Sequence, residues 1–217
     1  MAIKFSMYNY SVFFAALSPL FISTYFLLSS VFQGNLRGMI FLVGNALASG
    51  FGQLIKAGMK KPRGKLKYGD KYNSSDNPDT LPDAHDFCDI FEPANSSLKY
   101  YGLPSSHAVF FGYVLTYLQL GIQQNPNKPG IPFFILISIL AAMDLFFRKS
   151  SKCDSIMDIG AGLIAGGFMG ALWFYAIYYG WGWFTDGDGA KMVYYAKEDI
   201  NVEKCKLGKQ KFTCKKD

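Results

Sequence analysis

Apolar residues in this chain are gathered into long, nearly uncharged blocks, at about 10–32, 38–58, 104–123, 131–147 and 156–179. A helix needs about 20 apolar residues to cross the hydrocarbon of a bilayer. Lipid offers no partner to an exposed backbone amide, so blocks of this kind predict helices that satisfy their own hydrogen bonds. The expected fold is all-α: a polytopic membrane helix bundle of about five transmembrane helices. The first block is longer than a signal-peptide core and carries no clear small-residue cleavage site, so it is expected to be retained. Turns are predicted at Gln33-Gly34-Asn35 and at Asn125-Pro126-Asn127-Lys128-Pro129-Gly130. The expected organisation is an N-terminal segment with the first span (1–35), a membrane core (36–184) containing a long hydrophilic loop (60–101), and a polar, Lys-rich tail (185–217).

Polar and small residues inside the blocks refine this picture. Gly44, Ala48 and Gly52 in the second block, and Gly162, Gly166 and Gly170 in the fifth, recur every four residues, the spacing that lets membrane helices approach closely. Asn45, Ser49, Gln53 and Lys56 share one side of the second block and are expected to face the bundle interior, leading towards Lys56. Interhelical hydrogen bonding is the alternative role for Asn45 and Gln53. Asp144 is the one charge inside the fourth block, a turn before its end. Trp181 and Trp183 fit an interfacial aromatic belt. The 60–101 loop is basic at first and acidic later, and a connection of that length is a candidate lid. Asn73-Ser74-Ser75 and Asn95-Ser96-Ser97 match the glycosylation acceptor pattern.

Composition supports a membrane protein: half of the residues are hydrophobic and 17% are aromatic. The net charge is +6, but the positive residues cluster beside the spans and in the tail. Anionic headgroups or a phosphorylated substrate account for that distribution, and no nucleic-acid partner is expected. Of the four cysteines, Cys88 and Cys153 fall on one membrane side, and Cys205 and Cys214 on the other. Only one side is oxidising, so at most one of these pairs is expected to form a structural disulfide. None has metal-ligand spacing and the chain holds two histidines, so neither a metal nor another cofactor is expected.

The stretch Tyr101-Gly102-Leu103-Pro104-Ser105-Ser106-His107 leads directly into the third block. Pro104 suits a first helical turn and the serines suit a cap, which together would aim unpaired N–H groups and the positive end of the dipole at an anion. His107 follows within one turn, in reach of a leaving group. Alternation of five spans brings three distant segments to the same membrane face: Lys56 with Arg63, the Pro-Ser-Ser-His stretch, and the corner from Arg148 to Asp158. Together they can surround one phosphate.

These residues resemble the three motifs of the type 2 phosphatidic acid phosphatase superfamily. Lys56, six residues and Arg63 match the first motif, with Gly64 where proline is usual. Pro104-Ser105-Ser106-His107 matches the second, and the preceding Tyr-Gly-Leu is similar to dolichyl-diphosphate phosphatases. Arg148, five residues, Asp154, three residues and Asp158 match the third, followed by a glycine-rich helix like that of the same subgroup. The resemblance covers about 36–173. It implies phosphate binding by Lys56, Arg63, Ser105, Ser106 and Arg148, protonation of the leaving group by His107, and orientation of a nucleophile by Asp158. Phosphoryl transfer of this kind rests on positioning and charge neutralisation.

Besides Gly64, two positions depart from the pattern. Phe147 stands in place of a serine, and Asp154 occupies the place of the nucleophilic histidine. Loss of a group that forms a covalent bond leaves only binding and electrostatic contributions to rate. The resemblance therefore leaves an enzyme and a non-enzyme open. One is a lipid phosphate or polyprenyl diphosphate phosphatase, weakened or inactive, or active through Asp154, Cys153 or His85. The other is a pseudophosphatase serving as a structural or accessory subunit. A transporter is a third class, disfavoured because Asp144 has no chain of intramembrane charges around it. Expected partners are membrane lipids, including a polyprenyl or glycerolipid phosphate, and other membrane subunits. The expected location is the endoplasmic reticulum or another internal membrane.

Overall fold

The computed structural model describes residues 7–59, 103–125, 130–150, 153–184, 189–195, 204–207 and 212–215. Among these residues there are five α-helices: α1 (Met7–Gln33), α2 (Arg37–Met59), α3 (Ser106–Gln124), α4 (Ile131–Ser150) and α5 (Ile156–Phe184). Among the described residues, α2, α4 and the 156–181 part of α5 are long and apolar enough to cross a membrane, and 17–33 of α1 forms a shorter apolar stretch. The helical core is a membrane bundle, as the apolar blocks predict. The tail adds one feature that its composition did not announce, a two-stranded antiparallel ribbon of β1 (Lys204–Leu207) and β2 (Phe212–Lys215). Its register sets Cys205 opposite Cys214.

Helix α3 is the axis of the bundle. Phe111, Tyr113, Val114, Tyr117 and Leu118 have no exposure at all. Its closest neighbour is α5, and the glycine spacing explains why. A Cβ added to Gly166 would run into the Val109 carbonyl, and one on Gly162 would meet Ala108 and the Ser105 carbonyl. In lipid, where burial of apolar surface gives no net drive, such backbone proximity supplies the packing energy. On α2, Gly44 accommodates Trp173 and Tyr113. Tyr113 Oη donates to the Phe41 carbonyl at 2.9 Å, and Trp173 Nε1 donates to the Ile40 carbonyl at 3.0 Å. These bonds fix the depth at which α2 sits against α3 and α5.

The outward faces are apolar in a way that a water-soluble surface is not. Val31, Leu54, Phe146, Ile164 and Phe168 are each more than half exposed. An apolar surface distributed around the bundle in this way is a lipid-facing one. At the end of the bundle remote from the N-terminus of α3, aromatic rings close the core. Phe26 packs on Phe41, Phe133 and Tyr194, and Tyr117 on Phe41 and Phe174. At the other end, the end of α2, the start of α3, the end of α4 and the start of α5 meet.

Candidate active site

A serine caps the start of α3, as the sequence predicts, but Pro104 is not in the first turn. Pro104 lies ahead of the helix, and Ser105 is the N-cap, with φ −65° and ψ 126°. Ser105 Oγ is at 3.5 Å from the Ala108 amide, a long capping contact, and its shorter bond goes elsewhere: Oγ donates to Asp154 Oδ2 at 2.6 Å. The same carboxylate oxygen receives Arg148 Nε at 2.5 Å. Backbone bonds from the Cys153 and Asp154 amides to the Arg148 carbonyl, 2.9 and 3.3 Å, fold the α4–α5 corner so that Asp154 returns onto Arg148. Asp154 thus lies against Arg148 and Ser105, two of the five residues that the motif pattern assigns to phosphate.

Lys56, 2% exposed at the end of α2, donates from Nζ to Ser106 Oγ at 2.9 Å. His107 Nδ1 and Asp144 Oδ2 are 2.8 Å apart, both groups buried. The contact orients the ring so that Nδ1 faces the Asp144 carboxyl and Nε2 points away from it. Asp144 and Arg148 are four residues apart on α4 and therefore share a face. Sequence reading did not place Asp144 in the site; its i, i+4 spacing from Arg148 is the signal that could have done so, whereas its partnership with His107 left no mark in the sequence.

Asp158 has a different occupation from the one implied for it. Its Oδ2 accepts from the Ser155 amide at 2.9 Å while Ser155 Oγ accepts from the Asp158 amide at 3.2 Å. This reciprocal pair is a capping box at the N-terminus of α5. The Asp158 carbonyl also accepts from the Ser105 amide at 3.0 Å, which ties the start of α5 to the cap of α3. Cys153 is disulfide-bonded, which corrects the idea that its thiolate attacks phosphorus. Arg63 and His85 lie outside the described residues.

The structure therefore brings together Lys56, Ser105, Ser106, His107, Asp144, Arg148 and Asp154, with Asp158 just behind them. Two cations face three carboxylates in this described cluster, all of them buried. No group of three His, Cys, Asp or Glu side chains among the described residues is arranged to hold a metal ion.

The family model described as the PAP2 superfamily matches residues 37–181, about two-thirds of the chain. The chain belongs to the PAP2 superfamily. The matched segment begins with α2 and ends inside α5, so it contains every site residue described above, and α1 lies outside it. Comparison with curated proteins finds no match, and comparison with solved structures finds none either. Family membership accounts for the helical membrane core.

Proposed function

We propose that this protein is a PAP2-fold membrane protein, most similar in its motifs to dolichyl-diphosphate phosphatases, whose phosphate seat is filled by its own Asp154 carboxylate and whose hydrolytic activity is lost or severely reduced. One observation carries this reading: a single carboxylate oxygen accepts from both Ser105 Oγ and Arg148 Nε. A carboxylate held by a guanidinium and a hydroxyl satisfies the donors that a phosphate oxygen would otherwise take. An incoming phosphate must displace it or bind beside it. Two like charges about 4 Å apart repel by about 4 kcal/mol at an effective dielectric near 20. The nucleophile is absent and the anion seat is occupied, and both features act in the same direction.

The alternative of an active enzyme with another nucleophile is less well supported. The Cys153 sulfur is committed to a disulfide, and Asp154 is bound by the groups it would need to leave for substrate. A protein of this kind acts by binding a lipid or a membrane partner instead of by turnover. The disulfide also bears on location. Such bonds persist in oxidising compartments, which supports a site face directed to a lumen or to the exterior, as in the endoplasmic reticulum. The basic residues on that face then serve the site and are not a marker of the cytosolic side.

Phosphate release from a polyprenyl diphosphate and from a lipid monophosphate tests the reading, using purified full-length protein and its Asp154→His variant. Wild type is expected at background, and the variant is expected to gain turnover that disappears when His107→Ala is added. Equal turnover by wild type and variant refutes the proposal. Turnover in neither removes the phosphatase ancestry of the pocket from the explanation and leaves a purely structural membrane protein.

A further inference from the structure

The chain beyond α5 is fixed to the bundle before the ribbon begins. A short 3-10 helix, Gly189–Met192, turns it back, and Val193 and Tyr194 are then buried. The Tyr194 ring packs against Phe26 on α1 and Phe41 on α2, and its Oη donates to Ser29 Oγ at 3.4 Å. Tyr195 packs against Phe133 on α4. The chain is thus anchored at Tyr195 to the end of the bundle remote from the N-terminus of α3. The nine Cα steps from Tyr195 to Lys204 reach at most about 32 Å, so the ribbon cannot leave the neighbourhood of that membrane face.

The register of the ribbon sorts its residues onto two faces. Lys204 pairs with Lys215, Cys205 with Cys214, Lys206 with Thr213 and Leu207 with Phe212. Residues directly opposite one another share a face, and successive residues alternate between faces. Lys204, Lys206, Thr213 and Lys215 therefore occupy one face, and Cys205, Leu207, Phe212 and Cys214 the other. From 204 to 216 the chain carries no acidic residue to offset the lysines. A two-stranded ribbon is at best marginally stable alone in water, and like charges directly opposite one another weaken it further. Lys204 opposite Lys215 is such a pair, with Lys206 two residues along on the same face. An anionic surface laid against that face replaces the repulsion with attraction.

From this register and this tether we infer that the lysine face of the ribbon docks on the anionic headgroups of the leaflet at the end of the bundle remote from the site. The three lysine positions are spread about 5–7 Å from their neighbours along and across the strands, so each meets a separate headgroup. Such attraction acts only within a Debye length, about 8 Å at physiological salt, and the short tether keeps the ribbon near the surface where it operates. Because both partners belong to one assembly, docking is intramolecular and individually weak contacts suffice. A site face directed to a lumen sets the ribbon on the cytosolic side, whose leaflet carries the anionic lipids. Docking itself stands on the ribbon alone, so it survives failure of the reading of Asp154.

The test is amide hydrogen exchange, read by mass spectrometry, on purified full-length protein in nanodiscs of phosphatidylcholine with and without phosphatidylserine. Exchange over 204–215 is expected to be at least tenfold slower with phosphatidylserine, equivalent to about 1.4 kcal/mol, and high salt should remove the difference. Peptides from α3 should exchange alike in both discs. The combined variant Lys204→Gln, Lys206→Gln and Lys215→Gln should become indifferent to phosphatidylserine. It should exchange no faster than wild type in phosphatidylcholine, since the repelling pair is gone. Lys209→Gln, Lys211→Gln and Lys216→Gln together remove the same charge from outside the paired residues and should leave most of the effect. Equal exchange of wild type in the two discs shows a ribbon that does not dock. Equal slowing by inositol hexakisphosphate in phosphatidylcholine discs shows a site for soluble polyphosphates, and equal loss in the two variants shows a basic tail without a docking face. Any of these results overturns the proposal, and the first two are read on wild-type protein.

Discussion

Asp154→Asn keeps the outline of the side chain and removes its charge, so it separates the two roles of the carboxylate. In the folded protein, Arg148 is 5% exposed and is bound to Asp154 at 2.5 Å. Breaking a buried ion pair by neutralising one partner costs about 3–5 kcal/mol, because the remaining charge stays desolvated. For a chain of this size each kcal/mol is about 2–4 °C in melting temperature, so the variant should melt about 6–20 °C lower. The same change lifts about 4 kcal/mol of repulsion per unit of anion charge at about 4 Å and an effective dielectric near 20. An added anion can then take the vacated place beside Arg148. At a hundred times its Kd it would restore about 2.7 kcal/mol. The assay is thermal unfolding of detergent-purified protein, followed by tryptophan fluorescence across a titration of inorganic phosphate or tungstate. Wild type should be insensitive to the anion, whereas Asp154→Asn should start low and recover as anion is added. The reasoning is refuted if phosphate stabilises wild type as strongly as the variant, or if the variant melts with wild type in the absence of anion.

Three further outcomes follow from the packing and the bonds. Asp144→Asn and His107→Ala, combined in a double-mutant cycle, should show a coupling of about 1.5–3 kcal/mol, the range for a hydrogen bond to a charged group, and additive effects would argue against the Nδ1–Oδ2 bond. Gly166→Ala places a methyl group against the Val109 carbonyl and should cost about 1–3 kcal/mol in unfolding experiments, whereas Gly160→Ala, with nothing within 4 Å of the added carbon, should stay within about 0.5 kcal/mol of wild type. Cys153 should resist maleimide until the protein is reduced, and Cys153→Ser should lower stability by about 2–5 kcal/mol; ready labelling without reductant would contradict the disulfide and the lumenal placement that it supports.

The helices were legible in the chain because the bilayer imposes one requirement on every span, a long apolar run with internally satisfied amides. That requirement leaves its mark locally, so the five blocks correspond to the five helices. The glycine stripes at 44–52 and 162–170 were legible for a similar reason: close approach of backbones demands small residues at a fixed spacing, whatever the partner is. The approach of Lys56, the Pro-Ser-Ser-His stretch and the Arg148 corner to one end of the bundle also follows from alternation of spans alone.

What each buried polar group bonds to could not be read in this way, because the partners come from helices distant in sequence and are selected by differences of about an ångström. Asp144 looked like an isolated intramembrane charge until α4 was set beside α3 and its carboxylate met His107. Asp158 fitted a motif that would orient a nucleophile, yet its carboxylate caps α5. Asp154 read as a missing histidine, and only the fold of the α4–α5 corner turned it into an anion held by Arg148 and Ser105. The polar face of α2 could be predicted to point inward, but the space it encloses exists only where α1 and α3 fail to fill it. Sequence pattern determined which surfaces must be buried in protein and which must meet lipid, since that depends on residue type and spacing. Tertiary structure decided which charges and hydrogen-bonding groups meet, since in a low-dielectric interior the energy of each depends on the particular atom opposite it.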